Sequence, residues 1–346
     1  MHPRKSTFSH LVRTNYRELF RDGKTAFFVL GFPLFFMALF LGMGFVMSGG
    51  SYHVAVAPGP GQHQVVDRLN HVKGLTVKEL DQALPGQPRA LGGYDAVVQP
   101  EEGRPVVTVD AGKFGVVRGM RDALDKGTGA SAHSVFRTPD GGVPFDPVKA
   151  SLPTVLFIAL MSAAFFGTAT PLIGLRQRGT LRMLGTTPLK RRTFILAQAP
   201  VRLGLVMAQV VVVGTIAAIC GFLAPGDALP VLVSGLLGAL MLFGFGYLVA
   251  ARMRNAEVAN GLLAVLMPVT MLFSGLFLPM ELMPGPLRAV SQAFPTTYLV
   301  DALSHAFTGA PSLHGLAVDW LVLAGSAVLL ALLAARLFSW DQGEER

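Results

Sequence analysis

The sequence predicts an all-α polytopic membrane protein: six transmembrane helices, an amphipathic helix ahead of the first, and a small extracytoplasmic α/β insert between helices 1 and 2. Three observations carry this expectation. Of 346 residues, 51% are hydrophobic and only 14% are charged, where soluble domains carry about 25% charged residues. The apolar residues gather into runs of about 20, the length that crosses a hydrocarbon core. The charges gather between those runs, with Lys and Arg in excess to a formal net charge of +8. Such an excess fits basic loops on one side of a bilayer. No basic segment is interleaved with aromatics, so no nucleic-acid partner is expected.

Residues 1–25 read as a cytoplasmic amphipathic helix. Phe8, Leu11, Val12, Asn15, Tyr16 and Leu19 fall at helical spacing, and Arg13, Arg17 and Arg21 recur on another face. This pattern suits a helix lying in the inner-leaflet interface. The "DGKT" at 22–25 is no phosphate loop, because Glu18 stands where the first glycine is required. The full loop pattern occurs nowhere else, so any ATP hydrolysis belongs to another chain. The first span is 26–47. It is longer than the apolar core of a signal peptide, about 7–15 residues, and reads as a retained helix.

Residues 48–150 change character, with most of the acids and many Gly and Pro. "HVAVA" (53–57), "LTVKEL" (75–80), "YDAVVQ" (94–99) and "PVVTVDA" (105–111) alternate as strands do. "GQHQVVDRLN" and "KFGVVRGMRDALDKG" show helical apolar spacing, and 127–147 reads as a returning loop. His53, His63 and His71 are scattered through this pattern and suggest no metal site. Cys220 is the single cysteine and has no ligand companions.

The remaining spans are 151–175, 203–224, 231–251, 258–280 and 316–338. Pro268 should kink the fifth. Asp319 beside Trp320 reads as an interfacial anchor at the start of the sixth. Residues 281–315 are too short and too charged to span. They should re-enter the outer leaflet as short helices, with Glu281, Arg288 and Asp301 toward water. With the N-terminus inside, the inner side collects 17 Lys and Arg and the outer side 12, of which 11 lie in the long insert. Large inserts count little in this rule, so both termini, including the 339–346 tail, are expected in the cytoplasm of a plasma-membrane protein.

The connector 176–202 is the most informative stretch. "RQRGTLRMLGTTPLKRRTF" (176–194) holds six cations and no carboxylate. Each cation at the bilayer centre would cost about 2.5–3.5 kcal/mol, so the segment lies on the inner face. Residues 180–185 suit a short helix, and 185–188 break it. Thr187 can cap a second, basic helix opening at Pro188. Leu181, Leu184 and Leu189 are placed for packing, which would make the segment a rigid knob. Within the spans, Phe157, Met161 and Phe165 share a face of the second. Met267, Met271 and Ser274 share a face of the fifth. Such surfaces adapt to hydrophobic cargo, and packing between helices is the competing explanation. Gln209 is the one buried amide. No acid lies mid-span, which argues against a proton relay, and no hydrolase motif is present.

The stretch "LRQRGTLRMLGTTPLKRRTFILAQ" resembles the cytoplasmic connector of ABC-2 type permeases, the membrane subunits of ATP-driven exporters. "LVAARMRNAEVANGLL" (248–263) is similar to their turn into the fifth span. "LFSGLFLPMELMPGPLRAVSQAFPTTYLVDAL" (272–303) is similar to their re-entrant signature. Gln177 stands where the family usually has Glu, and Met283 where Leu is more usual. The resemblance implies two permeases, identical or sister chains, docked on ABC ATPase subunits that hold the ATP and Mg; this chain would need no cofactor. It implies coupling through Arg176, Gln177, Arg178, Gly179, Thr180, Leu181, Leu184, Thr187, Pro188 and Leu189. It implies a path along spans two and five, and an outer gate that includes Pro279, Pro284, Gly285, Pro295, Tyr298 and Asp301. Export of a drug, antibiotic, lipid or peptide follows as an expectation. The alternative is a receptor or immunity protein that binds a ligand through its outer domain, but such a protein has no need of an inward-facing knob.

Overall fold

The computed structural model describes residues 23, 27–47, 51–72, 74–82, 91–100, 105–110, 117, 120, 124, 135–139, 147–186, 191–223, 225–253, 255–278, 280, 283–309 and 311–337. The amphipathic helix expected before the first span, Thr187, Pro188, Leu189, Pro279, Glu281 and the 339–346 tail lie outside them, as does the side chain of Leu184. The chain divides into two compact units, residues 38–148 and residues 1–37 with 149–346.

The 38–148 unit is built on a five-stranded sheet: β1 (Tyr52–Val56), β2 (Leu75–Glu79), β3 (Ala96–Gln99), β4 (Val106–Val109) and β5 (Val135–Arg137). Their order is β2-β1-β3-β4-β5, with β3 and β4 antiparallel and the other pairs parallel. Alternation sorts the side chains, because successive strand residues face opposite sides. Tyr52, Val54, Val56, Ala96, Val98, Val107 and Val109 point to one face. There they pack under Val65, Val66 and Leu69 of helix α2 (Gln62–Asn70) and under Val117, Met120 and Leu124, which are helical. Ala55, Ala57 and Val97 point to the other face, against Leu80, Leu91 and Tyr94. β5 corrects the expectation of a bare loop over 127–147. It is three residues long and surrounded by Gly and Pro, so its alternation is too brief to read. It gains its order by pairing in parallel with β4, Phe136 opposite Val107.

The other unit is helical. Helix α1 opens with a π turn, Phe27–Gly31, and continues as Phe32–Met47. Helix α3 runs through Pro147–Ala164, a second π turn at Phe165–Ala169, and Thr170–Gln177. A short α4 (Thr180–Gly185) precedes α5 (Arg191–Ile219), α6 (Ala228–Arg252) and α7 (Ala256–Phe273). Helices α8 (Gly285–Ala293), α9 (Pro295–Thr308) and α10 (Leu316–Leu337) complete the order. Among the described residues four helices are long and apolar enough to cross a membrane: Val148–Gln177, Ala199–Ile219, Ala228–Ala251 and Leu316–Leu337. Two shorter apolar helices cover Val29–Gly42 and Glu257–Phe273.

Two span boundaries differ from the sequence reading. The third helix does not begin at 203 after a separate basic helix: residues 191–219 form one helix that carries Pro200. Arg202 is accommodated inside it because its guanidinium reaches across to α6, donating to the Tyr247 hydroxyl at 2.8 Å and lying 5.8 Å from the Tyr247 ring centre. The fifth helix stops at Phe273, short of Met280, although it runs on through Pro268. Gly275 then takes φ +88, a left-handed turn that no following helix can continue.

Helix α6 is the hub, and its small residues make it so. A β-carbon on Gly235 would come 2.8 Å from Val210 of α5, and one on Gly244 would come 2.8 Å from the Cβ of Leu330 on α10. On Gly246 it would lie 2.6 Å from the Ala164 carbonyl oxygen of α3. On Gly238 it would strike the Leu299 side chain of α9. The two π turns also meet: a β-carbon on Gly167 would lie 3.1 Å from Val29. Gln209 of α5 donates from Nε2 to the Val29 carbonyl, so the one buried amide side chain among the described residues ties the third helix to the first.

Candidate functional site

The connector starts where α3 ends, and a glycine makes the ending. Arg178 N donates to the Gly174 carbonyl at 3.1 Å and Gly179 N to the Arg176 carbonyl at 3.0 Å. Gly179 has φ +71, a conformation that side chains resist. Thr180 then opens α4, where Leu181 is fully buried. Met183 is 72% exposed. Thr186 closes the turn by donating from its hydroxyl to the Met183 carbonyl at 2.7 Å. The sequence singled out the leucines here and passed over Met183, an exposed apolar side chain of α4.

Three side chains clamp this corner to the hairpin between α6 and α7. Arg176 Nη1 donates to the Ala250 carbonyl and, at 2.9 Å, to the Met253 carbonyl. These carbonyls belong to the C-terminal end of α6, where backbone acceptors are unpaired and the helix dipole favours a cation. Gln177 Nε2 donates to Asn255 Oδ1 at 3.4 Å, and that same oxygen caps α7 by accepting from Glu257 N at 2.8 Å. One turn earlier, the Thr170 hydroxyl donates to Asn260 Oδ1 at 2.7 Å. These contacts tie the end of α3 directly to the junction of α6 and α7. Gln177 takes part as an amide donor to an amide oxygen, a contact that a glutamate carboxylate could not make.

A family model described as ABC-2 type transporter matches residues 126–308. The chain belongs to the ABC-2 type transporter family. No curated relative matches it. As an ABC-2 type permease it is a multi-pass membrane protein and the membrane component of a transporter.

Of the path residues read from the sequence, Phe157, Met161 and Phe165 are fully buried within this permease chain. Phe165 packs on Phe245 of α6 with ring centres 5.9 Å apart. Met271 and Ser274 are also buried, and Ser274 donates to the Met271 carbonyl at 3.0 Å; Met267 is half-buried. The open face of α7 instead carries Val258, Leu262, Val265, Val269 and Leu272. None of these was singled out in the sequence.

Far from Arg176, α9 packs toward the opposite end of α6, with Leu299 against Gly238. Trp320 Nε1 donates to Ser234 near the start of α6 at 2.9 Å, whereas Arg176 grips its last turn. Pro284 and Gly285 are exposed at the start of α8, and Pro295 opens α9. The Thr297 hydroxyl donates to the Ser291 carbonyl at 2.6 Å, and Phe273 stacks on Phe294 at 5.4 Å. Arg288 is partly buried, with Nε donating to the Met280 carbonyl at 2.8 Å. The Tyr298 hydroxyl donates to the Gln292 carbonyl at 3.1 Å.

Asp301 does not face water as the sequence suggested. It is buried, and its carboxylate accepts from Leu313 N at 2.9 Å and from His314 N at 3.3 Å. The loop before α10 needs these acceptors for its backbone, and that turns the acid inward. Nor is Asp319 an interfacial anchor: it is fully buried, and it faces His314.

Proposed function

We propose that this chain is the permease of an ATP-driven exporter that moves hydrophobic or amphiphilic cargo outward: a drug, antibiotic, lipid or peptide. Separate ABC ATPase subunits bind and hydrolyse ATP with Mg. The observation that carries this reading is the Arg176 clamp. The end of α3 is fastened through Arg176 to the last carbonyls of α6, and the short helix exposing Met183 follows it across Gly179. It is a lever with a load at one end and a free apolar contact at the other.

In this reading six helices span the plasma membrane, both termini are cytoplasmic, and α4 seats in a groove of the ATPase. Closure of the ATPase pair pushes α4. The push reaches α3 through Gly179 and α6 and α7 through Arg176, Gln177 and Thr170. Two permeases, identical or sister chains, face each other across the α7 stripe of Val258, Leu262, Val265 and Val269. Met267, Met271 and Ser274 lie behind it. Phe157, Met161 and Phe165 meet cargo only when the helices part. The segment holding Pro279, Pro284, Gly285, Pro295, Tyr298 and Asp301 closes the outer side. The absence of a carboxylate at Gln177 does not weaken the lever, because that position already bonds to Asn255.

The test is reconstitution of the full chain with its ATPase in liposomes. Met183→Asp, Leu184→Asp and deletion of 185–188 should each abolish cargo-stimulated ATP turnover and export while the permease stays folded and monodisperse. Export that survives all three changes would overturn the coupling assignment.

A further inference from the structure

Around the start of α10 the buried Asp301, which the transport reading places in the outer gate, meets two groups that this reading does not use, His314 and Asp319. Asp301, His314 and Asp319 offer ligand atoms that all lie within 4.8 Å of one another. His314 Nδ1 is 3.5 Å from Asp301 Oδ2 and 4.0 Å from Asp319 Oδ1. Asp319 is 0% exposed, and neither of its oxygens has a hydrogen-bond partner; His314 Nδ1 has none either. Two carboxylates this close, with one wholly removed from water, repel each other and forfeit their hydration, and a cation between them would offset both costs.

We propose that Asp301, His314 and Asp319 form a binding site for a divalent cation of the zinc type, at the end of the bundle remote from Arg176. The donor set argues for this class. Calcium takes six to eight oxygens and magnesium a near-octahedral oxygen shell, whereas imidazole with carboxylates suits zinc and its first-row neighbours. Zinc bonds of about 2.0–2.1 Å place tetrahedral ligands roughly 3.4 Å apart. The Asp301–His314 separation of 3.5 Å already fits, and Asp319, 4.0 Å from His314 and within 4.8 Å of Asp301, has to close in by roughly 1 Å. The supporting shell is in place. Backbone N–H groups of Leu313 and His314 orient the Asp301 carboxylate. The Tyr298 ring lies 4.8 Å from the His314 ring and holds its plane. A cavity of about 270 Å³ bounded by Met280, Arg288, Gln292, Leu313 and His314 gives the ion a route and room for a water as fourth ligand. Arg288 is the one cation on its wall, and its Nε is committed to the Met280 carbonyl.

The site is independent of cargo and of any ATPase, so it is tested on the purified full chain with its affinity tag removed. The protein is stripped with chelator, dialysed against micromolar zinc sulfate, and its metal content measured by mass spectrometry. About one ion per chain is expected, with a raised unfolding temperature in zinc. Asp319→Asn and His314→Gln should each weaken zinc binding about tenfold or more and abolish the thermal shift. If Asp319→Asn does not fold, His314→Gln alone decides. A chain with His53, His63 and His71 all replaced by Ala should bind as before. Zinc well below one ion per chain, or equal zinc in His314→Gln, overturns the proposal and leaves the trio an internal ion pair.

Discussion

Arg176 fastens the end of α3 to the last turn of α6. Its guanidinium satisfies two carbonyls that α6 cannot pair itself, and a charged hydrogen bond of this kind is worth about 1.5–3 kcal/mol. Arg176→Gln should therefore lower stability by about that amount, read as an earlier unfolding transition in detergent. It should also cut ATPase stimulation in the complex more than the stability loss explains, because the lever is then unfastened from α6. Arg176→Lys should recover charge but not both carbonyls, and so fall between. Unchanged coupling in Arg176→Gln would show that the clamp carries no force. How far residues could be read from sequence varied. The short helix over 180–185 was readable, because Gly and Thr follow it as an end signal, whereas the left-handed turn at Gly179 before it was not read from the residues. The trio of Asp301, His314 and Asp319 was not, because its members sit on two helices and the loop between them. Alone, each resembles an ordinary acid or histidine near a membrane surface.

At the scale of elements, α6 is defined by what its glycines leave out. Gly246 and Gly238 make a matched pair for experiment. A methyl on Gly246 meets the backbone carbonyl of Ala164 at 2.6 Å, and a backbone cannot rotate away. A methyl on Gly238 meets the end of a leucine side chain, which has rotamers to try. Gly246→Ala should destabilise by about 1–3 kcal/mol, and Gly238→Ala by less; unfolding of both variants in the same detergent compares them. Equal losses would mean that α3 slides to make room. The helical runs and four of the five strands followed from periodicity. The start of α5 did not, because charges at 190–192 and 202 suggested an end to helix where a continuous one exists. Arg202 is tolerated only through Tyr247, a partner that no local pattern reveals.

For the whole molecule, the proposed topology places α4 inside the cell and the sheet-bearing unit outside. Cys220 is the only native cysteine, so single-cysteine variants in a Cys220→Ser background are simple to interpret. Met183→Cys should resist a membrane-impermeant maleimide on intact cells and react after permeabilisation. His53→Cys, exposed in the sheet unit, should react on intact cells. Labelling of Met183→Cys from outside would invert the topology and remove the basis for ATPase docking. Fold class and family could be read from runs of apolar residues and the basic connector. The enclosure of Phe157, Met161 and Phe165 could not, since a face drawn on a helical wheel does not say whether lipid, cargo or another helix covers it.

The widened turn at Phe165–Ala169 has one more consequence. Such a turn holds an extra residue relative to a regular one, and each residue rotates a helix by about 100°. A homologue shorter by a single position there can close the turn as a regular one and still aim everything after it, including the counterpart of Arg176, at the same carbonyls. Sequence alignments that place a gap anywhere else in this helix would therefore superimpose residues pointing in different directions, and chimeras joined on such alignments would inherit a misdirected lever.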